Sequence, residues 1–340
     1  MEKRKLVYIG NSASSNTKHT ITTIDTLSEL LRKEGFEVVT ASKKRQKFFR
    51  LLDMLLTVVK RRNWADIVLI DTYSTLNFYY AVAVGNLCRL FRIPYVPILH
   101  GGDLPKRLDR SKALSYKLFT GALVNATPSS YLLEAFRSRG YSNLKHLPNS
   151  IAIENYPFRE RKQLEPKLLW VRAFAKIYNP LMALQVLEQL SSRYPNAQLC
   201  MVGPDKDGSM EQCKVYAQEK GLVVQFTGKL TREEWIALSA EYDVFINTTH
   251  FDNMPVSVIE AMALGLPVVS TDVGGIPHLI THGKDGLLVG DGDVGSMDEM
   301  IEELLQNLDV AHQLSRNGRR TAETFSWEHI KASWFAVFMK

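Results

Sequence analysis

The stretch Asp252-Asn253-Met254-Pro255-Val256-Ser257-Val258-Ile259-Glu260-Ala261-Met262-Ala263-Leu264-Gly265-Leu266-Pro267-Val268-Val269 restricts the fold more than any other part of this chain. It reads as a loop, a short helix and a buried strand. Pro255 suits the first turn of a helix, where its missing N–H is no loss. Gly265 suits a helix end, and Pro267 follows where a helix cannot continue. Val268-Val269 then runs apolar into Ser270-Thr271-Asp272 and the pair Gly274-Gly275. Two carboxylates, Asp252 and Glu260, bracket the helix N-terminus. Its free N–H groups and positive dipole character make a natural seat for phosphate. An ordinary α/β turn with a surface acid on each side reads the same way, so the rest of the chain has to decide.

The rest of the chain alternates strands and helices. Leu6–Ile9, Phe36–Thr40, Asp66–Asp71, Ile93–Leu99, Gly121–Thr127 and Leu144–Pro148 read as strands, with helical periodicity between them. Leu168–Arg172, Gln198–Gly203, Val223–Thr227 and Tyr242–Asn247 begin a second series. This predicts two doubly wound parallel sheets. We expect one domain at 1–150, a Pro- and charge-rich linker at 151–166, a second domain at 167–324 and a final helix at 325–340.

Charge separates the two halves. Residues 1–150 hold 24 Lys and Arg against 11 Asp and Glu, or +13, while the remainder holds 18 against 25, or −7. A basic half suits an anionic partner. No apolar run reaches the roughly 18 residues that span a bilayer, and Leu6–Ile9 is too short for a signal-peptide core. Cys88, Cys200 and Cys213 show no metal-ligand spacing and fit free thiols in a reducing cytoplasm. A cytoplasmic protein is expected.

Candidate ligand positions lie at the ends of predicted strands, where open α/β sheets bind ligands. After the first strand come Ser14, Ser15 and Asn16. After Ile93–Leu99 come His100, Gly101, Gly102 and Asp103, where glycine lets a ligand approach the backbone. After Leu168–Arg172 come Arg172 and Lys176, which suit a diphosphate, or are merely solvated cations. Residues 43–62 form an amphipathic helix with Lys43, Lys44, Arg45, Lys47, Arg61 and Arg62 at its ends. Its apolar stripe of Phe48, Leu51, Leu52, Leu55, Leu56 and Val59 faces either a core or an anionic lipid surface. No aromatic interleaving or nucleic-acid module accompanies these basic clusters, so nucleic acid is not an expected partner.

Taken together, the Asp252–Val269 stretch, the Gly274-Gly275-Ile276-Pro277 that follows and the strand-end residues resemble the retaining glycosyltransferases of family 4, of the GT-B fold. The resemblance is strongest from about Leu168 onward. It implies two facing Rossmann-like domains with a cleft between them: the N-terminal one for the acceptor, the C-terminal one for a nucleotide-sugar donor. By matching position it assigns Glu260 to the ribose hydroxyls and Asp252 to the sugar side. Arg172 and Lys176 match the cations on the donor diphosphate, and His100 matches the histidine near the transferring sugar. Met254, Pro255, Val256 and Ser257 line phosphate or sugar, and Gly228 and Lys229 approach the base. Two positions depart from the family pattern. The first acid is Asp252 rather than Glu, and Val171 stands where a glycine usually precedes the arginine.

Sugar transfer needs the diphosphate leaving group stabilised as its charge grows, and fixed cations with amide dipoles do this. We read no Asp-x-Asp stretch as a manganese site, so we expect metal-independent transfer from a UDP- or GDP-sugar without a cofactor. The expected setting is polysaccharide or glycolipid assembly with a lipid-linked acceptor, peripheral to the inner face of the membrane. A nucleotide-sugar epimerase of the same architecture and a catalytically silent sugar- or lipid-binding subunit are the alternatives.

Overall fold

The structure is a computed structural model that describes residues 4–11, 22–44 and 46–339. It divides into two compact units, Met1–Ser150 with Ile330–Lys340, and Ile151–His329.

Unit 1 is built on six parallel strands: β1 (Lys5–Ile9), β2 (Glu37–Ala41), β3 (Ile67–Thr72), β4 (Tyr95–Leu99), β5 (Asn125–Thr127) and β6 (Leu144–His146), in the order β2-β1-β3-β4-β5-β6. Helices α1 (Thr23–Lys33), α2 (Lys47–Arg61), α3 (Asn77–Leu90), α4 (Leu104–Arg110), α5 (Lys112–Thr120) and α6 (Ser130–Arg137) connect them. Every residue of β3 and β4 is buried. That is why these strands read as near-continuous Val/Ile/Leu runs rather than alternating ones: helices cover both faces of a parallel sheet. Phe119 packs edge-on to Phe136 at 5.0 Å and to Tyr141 at 5.8 Å, filling the space between α5, α6 and the sheet. Each such aromatic contributes about 1.5–3 kcal/mol by leaving water.

Helix α2 divides its apolar residues between two faces. Met54 and Val58 are buried, whereas Phe48 and Phe49 are 73% and 54% exposed, and Leu52 and Leu56 are also exposed. The expected single stripe is therefore a core-facing line and an outward-facing line side by side.

Unit 2 repeats the architecture with β7 (Lys167–Val171), β8 (Gln198–Val202), β9 (Val224–Gly228), β10 (Val244–Asn247), β11 (Val268–Thr271) and β12 (Leu287–Val289), in the order β12-β11-β10-β7-β8-β9. Its helices are α7 (Pro180–Arg193), α8 (Ser209–Glu219), α9 (Arg232–Leu238), α10 (Val256–Ala263), α11 (Val294–Gln306) and α12 (Leu308–Glu323), followed by α13 (Trp327–Phe338). The tail is thus two helices with a break at 324–326. Most of α13 belongs to unit 1, where Phe335 and Phe338 sit 5.4 and 5.3 Å from the Phe36 ring and Lys331 pairs with Glu34 at 3.3 Å.

Residues 151–166 are woven into unit 2. The N–H of Ile151 donates to the Phe325 carbonyl at 2.9 Å. The buried Arg161 guanidinium donates to the carbonyls of Tyr242 at 2.9 Å and of Ser239 and Gly265 at 3.1 Å. Burial pulls its pKa down to about 10. From α12, Arg319 donates to the Tyr156 carbonyl at 2.7 Å and the Ala263 carbonyl at 2.8 Å, serving the C-terminal end of α10.

Both sheets reverse strand order once, in unit 1 between β1 and β3 and in unit 2 between β7 and β10. Ligands of open α/β sheets bind at the carboxyl ends of strands beside such a reversal.

Candidate functional site

In unit 2 the reversal brings together the first residue after β7 and the loop after β10. Arg172 follows β7, and its N–H donates to the Val202 carbonyl at 2.9 Å. A Cβ on Gly203 would lie 1.8 Å from the Arg172 carbonyl oxygen, so only glycine fits there. The Arg172 guanidinium lies 4.5 Å from the centre of the Tyr178 ring and pairs with the Asp252 carboxylate. Burial holds its pKa below the usual guanidinium range.

Asp252 Oδ1 accepts the Met254 N–H at 3.3 Å, which closes the loop before the helix. Gly274 and Gly275 press on this loop from the other side. The Gly275 N–H donates to the Asp252 carbonyl at 2.8 Å. A Cβ on Gly275 would lie 1.7 Å from the Asn253 carbonyl oxygen, and Gly274 has φ +56°. The Gly-Gly pair is thus a packing requirement of the acidic loop.

Helix α10 starts one residue later than expected. Pro255 is its N-cap, with ψ 109°, and Val256 its first residue. Extended ψ keeps proline outside the helix while its carbonyl takes the Val258 N–H at 3.1 Å. The N–H groups of Val256 and Ser257 lack intrahelical partners, as in any helix start. The Ser257 hydroxyl is buried with no hydrogen-bond partner among the described residues.

Glu260 lies one turn along α10 and is buried. The Tyr156 hydroxyl donates to its Oε1, and Arg232 Nε stands 3.4 Å from the same oxygen. Burial raises the carboxyl pKa, opposed by the Tyr156 hydrogen bond and by the charges of Arg232 and Arg172. Burial and the adjacent carboxylate push the Tyr156 hydroxyl well above its ordinary range. Sequence reasoning missed both partners. Tyr156 sits in the stretch expected to be a linker, and Arg232 opens a helix whose visible signal was the capping box Thr231–Glu234.

The remaining unit 2 candidates sit further out. Lys176 is exposed on a short 3₁₀ turn, its N–H donating to Asp207 Oδ2 at 2.9 Å. Gly228 ends β9 with φ +69° and accepts the Gly203 N–H at 2.8 Å. Lys229 is exposed. The Arg232 contact shows that the connection from β9 to α9 reaches Glu260.

In unit 1, His100 follows β4. Its Nε2 lies 2.8 Å from Asp71 Oδ1, the atom that also accepts the Tyr8 hydroxyl at 2.8 Å. The Tyr73 ring flanks the imidazole at 5.2 Å. A Cβ on Gly101 would meet the Ser74 nitrogen at 2.8 Å, so glycine lets the two strand-end loops touch. Gly102 is partly exposed, and Asp103 is the exposed residue before α4, paired with Lys106 at 3.1 Å. Tyr8 and Asp71 were not singled out as site residues, because each looks like an ordinary strand residue. Ser14, Ser15, Asn16 and Arg45 lie outside the described residues. Lys43, Lys44, Lys47, Arg61 and Arg62 are exposed around α2.

Among the described residues no group of three or more His, Cys, Asp or Glu is arranged to hold a metal. No helix among them is long and apolar enough to cross a membrane.

Comparison with known proteins supplies the family. Residues 153–321 match the model of glycosyl transferases group 1. The sulfoquinovosyl transferase SQD2 of Arabidopsis thaliana is 29% identical over 150 residues, 43% of this chain and 28% of that protein. A D-inositol 3-phosphate glycosyltransferase of Mycolicibacterium smegmatis is 28% identical over 173 residues, 49% of this chain and 39% of that protein. The matched segments thus span well under two thirds of these relatives. Among solved structures, sucrose-phosphate synthase from Thermosynechococcus elongatus has a TM-score of 0.80 at 18% identity, covering 99% of this chain and 98% of the other. Anabaena HepE in complex with UDP has a TM-score of 0.76 at 17% identity, covering 99% and 100%. These likenesses show the shared two-domain α/β architecture, the GT-B fold. Through residues 153–321, the chain belongs to the glycosyl transferases of group 1.

Proposed function

We propose that this protein is a retaining glycosyltransferase of family 4 that moves a sugar from a nucleotide-diphosphate donor to an acceptor hydroxyl. The observation that carries the reading is the constellation in unit 2. A partly buried guanidinium, Arg172, and the start of α10 flank one loop, and a buried carboxylate, Glu260, stands one helical turn further on. Glu260 accepts hydrogen bonds from the donor ribose through the oxygen that Tyr156 and Arg232 leave open. Arg172, the α10 N–H groups and Lys176 take up charge on the diphosphate as the sugar departs. Asp252 pairs with Arg172, so a diphosphate that binds Arg172 competes with that carboxylate. Asp252 is then released toward the sugar. Met254, Pro255, Val256 and Ser257 line the phosphates and sugar, while Gly228 and Lys229 approach the base. Cations and amide dipoles carry the leaving-group charge in this scheme, so no metal is assigned a role.

His100 meets the transferring sugar, and the acceptor binds to unit 1 with Gly101, Gly102, Asp103, Ser14, Ser15 and Asn16 as its candidates. Anabaena HepE has been solved with UDP and with UDP-glucose, which makes uridine donors the first to test. The basic balance of residues 1–150 supports a lipid-linked acceptor at an anionic cytoplasmic membrane surface. So does the outward line of Phe48, Phe49, Leu52 and Leu56 beside Lys43, Lys44, Lys47, Arg61 and Arg62.

A thermal-shift and hydrolysis screen over uridine, guanosine and adenosine diphosphate sugars tests the donor. Stabilisation by one nucleotide class and release of that diphosphate are expected. Binding without turnover on any acceptor overturns the transferase reading in favour of a silent subunit. Replacing Lys43, Lys44, Arg45, Lys47, Arg61 and Arg62 with Gln is expected to reduce sedimentation with anionic liposomes. Undiminished sedimentation rejects the basic surface as the membrane contact.

A further inference from the structure

Asp71 has no part in the reaction as drawn above, yet among the described residues it is the one buried charged side chain of unit 1. A carboxylate out of water is costly unless hydrogen bonds satisfy it. Its Oδ1 takes two, from the wholly buried Tyr8 hydroxyl and from His100 Nε2, each at 2.8 Å. Room for the carboxylate depends on Gly10, since a Cβ there would lie 2.3 Å from Asp71 Oδ2. β1, β3 and β4 thus each contribute to one polar cluster at their carboxyl ends, beside the point where the strand order reverses.

The chemistry of the acceptor orients the ring. A carboxylate has no proton to give, so the imidazole nitrogen facing it is the one that carries hydrogen. Tyr73 flanks one face of the ring at 5.2 Å and limits its rotation. His100 Nδ1 has no hydrogen-bond partner among the described residues. We propose that Asp71, supported by Tyr8, is a positioning residue of the transfer reaction: it holds His100 with Nε2–H turned inward, so that Nδ1 is the edge presented at the end of β4. The inference rests on the reading that His100 meets the transferring sugar. It adds which ring nitrogen does so and what fixes it.

The direct test is a long-range proton–nitrogen spectrum of the full chain labelled on histidine, with His100 assigned by the signal lost in His100→Ala. A protonated Nε2 is expected, and a neutral ring with its hydrogen on Nδ1 overturns the proposal. The ring state itself is read in the unmodified protein, and His100→Gln serves for the assignment where His100→Ala does not fold. Kinetics then address function. Asp71→Asn is expected to lower kcat about 10–100-fold, the size of effect seen when the partner that orients a metal-ligating histidine is lost, with the KM for the donor and the melting temperature little changed. An Asp71→Asn variant at full kcat, when His100→Ala is inactive, overturns the role of Asp71 alone. A His100→Ala variant at full kcat overturns the role of His100 itself.

Discussion

Asp71 in unit 1 and Glu260 in unit 2 are buried carboxylates near the strand-order reversals of their sheets, and each accepts a tyrosine hydroxyl, from Tyr8 and Tyr156 respectively. Their second partners differ. Glu260 faces Arg232 at 3.4 Å, with Arg172 close enough to influence its charge. Asp71 faces the His100 imidazole. A guanidinium stays charged at any working pH and suits a permanent anion such as a diphosphate. An imidazole can hold or release a proton and presents a different edge in each tautomer. A similar carboxylate–tyrosine pair thus stands beside a fixed charge in unit 2 and beside a protonatable ring in unit 1.

Glycine substitutions test that contrast most severely. Gly275→Ala is expected to cost about 3 kcal/mol or more, beyond the usual range for overpacking. Its Cβ would meet the backbone of Asn253 at 1.7 Å, and backbone cannot step aside. Gly10→Ala is expected to cost only about 1–2 kcal/mol, because the Asp71 side chain, at 2.3 Å, can move. Its larger effect falls on turnover, as Asp71 leaves His100. Denaturant unfolding of both variants checks the order, and equal losses break the distinction between a backbone clamp and a side-chain seat.

Glu260→Gln is next. Losing a charge-assisted bond to the donor is worth about 1.5–3 kcal/mol, or roughly 10–150-fold in donor affinity by calorimetry. The melting temperature at neutral pH is expected to hold or rise, because burial disfavours the charged form of Glu260 and Arg232 is partly exposed. A large drop in melting temperature with donor affinity intact shows that Glu260 is structural.

The pH dependence follows from the direction of the Glu260 shift. Burial raises its carboxyl pKa above the ordinary 4.5. Relative to the unfolded chain, its contribution to stability is therefore present in acid and is lost as pH rises through that raised value. Donor binding is expected to run the other way, because the proposed ribose bonds need the carboxylate. Affinity is expected to fall with acid at a midpoint above 4.5, and Glu260→Gln to flatten that limb. A midpoint at or below the ordinary value contradicts the buried-acid picture. The smallest effect belongs to Tyr156→Phe. It removes one hydrogen bond, worth about 0.5–1.5 kcal/mol, and is expected to weaken donor affinity by a factor of roughly 2–12. Unchanged affinity means that Arg232 alone holds Glu260.

Much of this was legible from residues close together in the chain. The run from Asp252 to Val269 carries its own punctuation: Pro255 before α10, Gly265 after it, and a β-branched pair that starts β11. All of it acts within a few residues through backbone dihedrals. The buried strands were readable because helices on both faces of a parallel sheet demand continuous apolar side chains. Helix α2 was half legible. Its amphipathic pattern marked a helix, but periodicity alone does not say which of two neighbouring apolar lines meets the core.

Tertiary structure decided the rest. Tyr156 reaches Glu260 across 104 residues of sequence, and Asp71 reaches His100 across 29. Nothing near Tyr156 or Asp71 announces such a partner, because hydrogen bonds between segments far apart in the chain depend on how strands and helices pack. The sequence by itself determined that an acidic loop runs into a helix and a buried strand at 252–269. Only the tertiary structure decided that Gly275 clamps that loop and which tyrosines, arginine and histidine stand against Glu260 and Asp71. The physical reason is that the cost of burying a charge is offset by whichever donors the packed chain brings within reach.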